Sequence, residues 1–214
     1  MLGLLPDIST FIFYMTALLG LVLSPGPDML YVVARGMVQG SLAGVVSALG
    51  VCTGVLIHTL ALAFGLSSLF AATPLAFEIV RWLGATYLLY LGVKTLMDQS
   101  PPPKLSTKGH VRSHKTLFMQ GLLTNVLNPK VALFFVAFLP QFADPTRGNM
   151  PLQLLLLGLC VVILGLIVKI TVGVFSGKMG EWMSTRPLVW RTQRWLSASI
   201  LIGLSMRLVV IERN

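Results

Sequence analysis

Two short sequences carry most of the chemistry this chain can offer: Ser24-Pro25-Gly26-Pro27-Asp28 and Asn125-Val126-Leu127-Asn128-Pro129-Lys130. Each lies inside an apolar run, where proline interrupts the helical hydrogen-bond ladder. Ser and Asn are preferred helix N-caps, and Pro is preferred at the first helical position. Both stretches therefore read as the start of a new half-helix in mid-span. Such a start presents backbone N–H groups and a partial positive charge, which suit a carboxylate. Non-helical backbone at membrane depth is tolerated only where protein buries it or where it lines a water-filled cavity. A pair of proline kinks needed only for packing is the plainer alternative, but two capped breaks at corresponding places favour a binding site.

Asp28 is the one carboxylate well inside an apolar run, and an intramembrane ionisable residue points to function by default. With Gly26-Pro27 treated as a two-residue insertion, Asp28 aligns with Lys130, so opposite charges occupy equivalent positions in the two half-helices. Asp28 then either carries a coupling proton or receives a substrate ammonium, while Asn128 and Lys130 favour a carboxylate. That combination matches a zwitterionic amino acid; the competing reading is a structural Asp28–Lys130 pair that neutralises itself.

The remaining candidates are fewer. His58 falls on the same helix face as Gly54 and Ala61, where it either relays protons or serves as a hydrogen-bonded structural histidine. Lys169 is the other cation in a span, and its long stem suggests snorkelling toward an interface. Tyr87 and Tyr90 either line a cavity or pack. Cys52 and Cys160 open an alternative of another class, a membrane thiol oxidoreductase, but LGVCTG and LLGLCVV are apolar settings that do not activate a thiol. The spacings of metalloproteases, zinc deaminases, P-loops and Gly-x-Ser-x-Gly hydrolases are absent. With His58 in a span and His110 and His114 in a polar link, no metal or other cofactor is expected, nor an enzyme.

The elements that must position these residues follow from composition. Of 214 residues, 55% are hydrophobic and 11% charged, against about 25% charged in an ordinary soluble domain. Apolar runs of about 20 residues, the length that crosses a bilayer, place helices at about 10–34, 42–70, 74–97, 117–139, 151–175 and 195–211. The expected fold is all-α: a polytopic membrane protein with six transmembrane helices, the first and fourth broken. The start has no Lys or Arg ahead of its apolar run and no Ala-x-Ala ending, so it reads as a retained span rather than a signal peptide.

The net charge of +9 needs no nucleic acid, because the basic residues sit between the apolar runs. Ten of the sixteen Lys and Arg fall in the links between helices 1 and 2, 3 and 4, and 5 and 6: Arg35; Lys94, Lys104, Lys108, Arg112 and Lys115; Lys178, Arg186, Arg191 and Arg194. The positive-inside rule places these links in the cytoplasm and both termini outside. Residues 98–116 form a basic, proline-containing cytoplasmic linker between a first three-helix unit, 1–97, and a second, 117–214. The link from Gly177 to Arg194, with Trp182 and Trp190, is expected to lie on lipid headgroups.

The two units resemble each other. RWLGATYLLYLGVK from Arg81 matches RWLSASILIGLSMR from Arg194 at an offset of 113, with identities at Arg81, Trp82, Leu83, Ala85, Leu88 and Leu91. Leu49, Gly50 and Cys52 meet Leu157, Gly158 and Cys160 at 108, and Leu23-Ser24-Pro25 meets Leu127-Asn128-Pro129 at 104. Three spans per unit force the second copy to enter from the opposite side. That is a 3+3 inverted-topology repeat, typical of secondary transporters that bind substrate near the midplane at the repeat interface. The small residues of helix 2, Gly40, Gly44, Ser47, Gly50, Gly54, Ala61 and Gly65, permit close helix contact, either within the molecule or at a dimer interface.

The stretches LSPGPDMLYV, GVVSALGVCTGVLIHTLALAFGLS, LGATYLLYLGVK and GLLTNVLNPKVALFFVAFLPQF resemble the lysine-exporter superfamily, in its homoserine/threonine-resistance (LysE/RhtB) branch. The likeness covers nearly the whole chain. It implies a multi-pass exporter of amino acids or close derivatives in the bacterial inner membrane, driven by proton antiport. It marks Pro25, Gly26, Pro27 and Asp28, with Asn125, Asn128, Pro129 and Lys130, as signature positions. A homodimer is an expectation drawn from the family. Relatives differ in substrate, and a neutral amino acid is expected here because Asp28 alone is available to receive a cationic side chain. Export of a different small solute or metal ion on the same scaffold is the nearest alternative.

Overall fold

The computed structural model describes residues 5–23, 26–66, 74–97, 110–176 and 187–210. All of its regular elements are helical. Helix α1, Ile8–Leu23, is followed by α2, Pro27–Gln39, and the two are bent by 48° at the break. Helix α3, Ser41–Leu60, runs on through a π-helical turn, Ala61–Leu66. Helix α4 is Pro74–Met97. Helix α5, His114–Val126, is followed after a 49° bend by α6, Pro129–Leu133, which continues as a π-helical turn, Phe134–Phe138, and a 3-10 turn, Leu139–Phe142. Helix α7, Met150–Val174, and helix α8, Pro187–Val210, complete the order.

Two continuous helices, Ser41–Gly65 and Met150–Val174, are long and apolar enough to cross a membrane, and each bent pair passes the same test when taken as one span. Helices α4 and α8, at 24 residues each, reach about 36 Å at 1.5 Å per residue, more than the ~30 Å hydrocarbon layer. Their outer faces carry large exposed hydrophobics such as Ile79, Leu83, Leu188 and Leu196. A protein in water would not leave so much apolar surface uncovered.

Both expected breaks are present, but the first is capped differently from the sequence expectation. Gly26, in extended backbone, is the N-cap of α2, with Pro27 at the first helical position. Ser24 and Pro25 lie outside the described residues. In the second break, Asn128 caps α6 by accepting a hydrogen bond from the Lys130 N–H at 3.1 Å, with Pro129 first in the helix. The two breaks thus share one order, cap, proline, charged residue: Gly26-Pro27-Asp28 and Asn128-Pro129-Lys130.

Other boundaries shift as well. Ser113 caps α5 through the Thr116 N–H, so the last residues of the expected linker, 114–116, form the first turn of a helix. Helix α8 begins at Pro187, which places Trp190, Arg191 and Arg194 on that helix rather than on a surface link. Trp182, Lys178 and Arg186, like residues 98–109 of the linker and 67–70 of the expected second helix, lie outside the described residues.

The two broken helices run antiparallel. At one end Gln39, closing α2, exchanges two hydrogen bonds with the backbone of Arg112 just before α5, at 2.8 and 2.9 Å. At the other, Arg147 beyond α6 donates to the Leu5 carbonyl ahead of α1 at 2.6 Å. Between these ends, α3 packs against both α5 and α7, and α4 packs against α8. The glycines of α3 make the first of these contacts so close. A methyl at Gly50 would overlap the Phe118 carbonyl, and one at Gly121 would stand 2.5 Å from the Ser47 carbonyl oxygen. A methyl at Gly44 would stand 2.5 Å from the Gly173 carbonyl oxygen on α7.

The main core lies between α1, α3, α6 and α7, where Tyr14, Leu18, Leu62, Phe134, Phe138 and Leu154 are fully buried. The Tyr14 hydroxyl, which burial would leave costly without a partner, donates to the Leu157 carbonyl at 2.7 Å.

Candidate functional site

The broken helices bring their starting turns together. Gly26 is so close to the facing groups that a methyl there would stand 2.9 Å from Asp28 Oδ1 and 4.0 Å from Asn128 Nδ2. Both breaks thus contribute to a single polar centre, with Asp28 7% and Asn128 4% exposed. Asp28 sits in the first turn of α2, where the helix macrodipole favours a carboxylate.

The ion pair at this centre is not the one aligned by sequence. Lys169 Nζ on α7 lies 3.2 Å from Asp28 Oδ2. Lys130, partly buried, interacts electrostatically with both members of that pair. Lys169 does not snorkel: it is 5% exposed and turned inward, because a buried carboxylate offers its ammonium more than a route along the helix to an interface. Lys169 is also the functional candidate that sequence reasoning passed over. The available signal was a lone Lys in an otherwise uncharged 25-residue helix.

Asn125 occupies the last turn of α5 and is fully buried. Its side chain lies against Gly54, where a methyl would stand 2.8 Å from the Asn125 Oδ1. Its carbonyl receives the Asn128 N–H at 2.9 Å, and the His58 Nε2 stands 3.4 Å away. His58, half-buried, also stacks on Phe135 with ring centroids 5.6 Å apart. The structure therefore brings Gly26, Pro27, Asp28, His58, Asn125, Asn128, Pro129 and Lys130 to the two breaks and their immediate neighbours. Three polar atoms there, Asn125 Nδ2, Asn125 Oδ1 and Asn128 Nδ2, are buried without a hydrogen-bond partner. Buried amides in that state are rare in native proteins.

Cys52 and Cys160 are free thiols in different surroundings. Cys52 is buried and Cys160 half-buried. Tyr87 and Tyr90 pack together, with Lys94 over the Tyr90 ring. Among the described residues, no group of three or more His, Cys, Asp and Glu side chains could hold a metal ion.

In chemical terms the centre offers one carboxylate, two ammonium groups and two primary amides at the junction of interrupted helices. Groups of these types can bind a charged small molecule.

The family described as LysE type translocator matches residues 19–211. A protein of Vibrio cholerae named uncharacterized membrane protein is 30% identical over 206 residues, covering 96% of this chain and 99% of the relative. The homoserine/homoserine lactone efflux protein of Salmonella typhimurium is 31% identical over 76% of this chain and 78% of its own length. The leucine efflux protein of an Enterobacter species is 29% identical over 93% of this chain and 94% of its own length. No solved structure matches the chain.

Proposed function

The chain belongs to the LysE type translocator family, and from that premise we propose that it is a secondary transporter exporting a neutral amino acid or close derivative across the bacterial inner membrane by proton antiport. The observation that carries the reading is the meeting of the two broken helices at Asp28, Asn128 and the Lys169 ammonium. A zwitterion needs an acceptor for its ammonium and donors for its carboxylate. Asp28 supplies the first; Lys130, Lys169 and the Asn128 amide are the donors at hand for the second. A neutral cargo fits better than a cationic one, since Asp28 is the one buried carboxylate among the described residues. The names of the relatives agree, as they denote efflux of homoserine, homoserine lactone and leucine.

The molecule is read as six spans in a 3+3 inverted repeat, residues 1–97 and 117–214, joined by the linker 98–116. Support comes from the antiparallel broken helices, with bends of 48° and 49°. Burial also recurs across the repeat: Ala85 and Ala198, and Leu88 and Leu201, are buried, while Trp82 and Trp195, and Leu83 and Leu196, are exposed. Alternating access then follows from rocking of one half against the other around the central charges. Protons are the coupling ion, Asp28 or His58 their carrier, and a homodimer the assembly taken from the family.

The test is efflux from cells loaded with a panel of labelled amino acids, with and without a protonophore. Overexpression should accelerate export of at least one neutral amino acid, and the protonophore should abolish the acceleration. If no amino acid leaves faster, the reading fails; if the protonophore has no effect, proton coupling fails.

A further inference from the structure

On the amino-acid reading above, we infer that Lys169 is the carboxylate-receiving residue of the substrate site, that Asp28 holds its place until cargo arrives, and that the cargo must therefore carry a free carboxylate. Asp28 and Lys169 are 7% and 5% exposed, and their contact at 3.2 Å joins the first broken helix to α7. A cargo ammonium that takes up the contact at Asp28 Oδ2 displaces Lys169. The displaced ammonium would then be buried without the counter-ion that the structure gives it, a state that proteins avoid at high cost. A carboxylate on the same cargo removes that cost by taking the place of Asp28, so the two halves of the zwitterion exchange with the two halves of the ion pair.

The local charge points the same way. One carboxylate, Asp28, stands with two ammonium groups, Lys169 in contact and Lys130 within electrostatic range of both. A carboxylate entering here meets opposite charge on Lys169, whereas a simple cation meets like charge there. The buried Asn128 Nδ2, without a hydrogen-bond partner beside Gly26, adds a donor for the incoming oxygens.

The consequence separates cargo classes that share an ammonium and a side chain. L-Leucine and L-homoserine satisfy both charges. L-Leucinamide and L-homoserine lactone leave Lys169 stranded, even though a relative is named for efflux of the lactone.

The experiment is calorimetric titration of the purified full chain in detergent with each acid and with its amide or lactone. Wild type should prefer the acid by on the order of 10-fold or more. Lys169→Gln frees Asp28, so the amide should bind at least as tightly as it does to wild type while the acid binds more weakly. Lys169→Arg, which keeps the charge, should retain the preference for the acid. A structural role for Lys169 would weaken both ligands alike. Equal binding of acid and amide to wild type overturns the inference and leaves the exporter reading standing, as does an unchanged preference in Lys169→Gln. Failure of wild type to bind any of the four overturns the inference and also counts against the exporter reading.

Discussion

Asp28 and Lys169 illustrate how a buried ion pair can be judged by what its removal does. Removing one member of such a pair typically costs about 3–5 kcal/mol, whereas replacing both is often neutral or stabilising. Asp28→Asn should therefore lower the melting temperature of the purified protein and reduce efflux at least ~10-fold. The double variant Asp28→Asn with Lys169→Gln should recover the melting temperature while efflux stays lost. A double variant that exports like wild type would reduce the pair to scaffolding. Asp28, Asn128 and Lys130 were legible in the sequence because each adjoins a proline inside an apolar run, and a helix breaker there has few innocent explanations. Lys169 was not: nothing near it breaks the helix, and its partner lies far away in sequence, so only packing of α7 against α2 reveals the pair. The cap at the first break was misread for a related reason. Two prolines flank Gly26, and the local pattern does not say which of them begins the helix.

At the scale of elements, the two breaks and the glycine face of α3 were the most readable features. Their purpose was less so. Small residues at helical spacing serve internal packing or a dimer equally well, and the structure uses Gly44, Gly50 and Gly54 internally, against Gly173, Phe118 and Asn125. Gly65, by contrast, faces open space. Gly50→Ala should thus force α3 and α5 apart and destabilise the protein by roughly 1–3 kcal/mol, while Gly65→Ala should be close to neutral. Thermal unfolding of the two variants side by side checks this, and equal melting temperatures would contradict the crossing. The π-helical turns at Ala61–Leu66 and Phe134–Phe138 could not be foreseen, because they depend on how carbonyls re-pair under packing rather than on residue type. One of them holds Phe135 against His58, beside the second break. Such turns recur at functional sites.

Across the whole molecule, the proposed orientation rests on charge, and three long-range hydrogen-bond connections bear on whether the charge pattern makes geometric sense. The Gln39–Arg112 bonds put the end of the first broken helix beside the start of the second. The Ser41 hydroxyl, opening α3, donates to the Val174 carbonyl at the close of α7 at 2.9 Å. Arg147 meets Leu5 at the opposite end of the broken helices. With one crossing for each bent pair and one each for α3, α4 and α7, the first two connections fall on one side and the third on the other. On the proposed six spans, the span ends that the basic links join are on the side of the first two, the side that the positive-inside rule assigns to the cytoplasm. Arg191 and Arg194, now placed in the first turns of α8, keep that assignment, since charges close to a span end count as those in the link do. A fluorescent protein that folds only in the cytoplasm should therefore glow when inserted between residues 98 and 109. A phosphatase active only outside should work when inserted between 143 and 149 or joined after residue 210. If the reporter after residue 210 behaves as cytoplasmic while that at 143–149 does not, α8 fails to cross and the second unit is not a full inverted copy of the first. If all three reporters are reversed, the spans stand and the charge rule has chosen the wrong side.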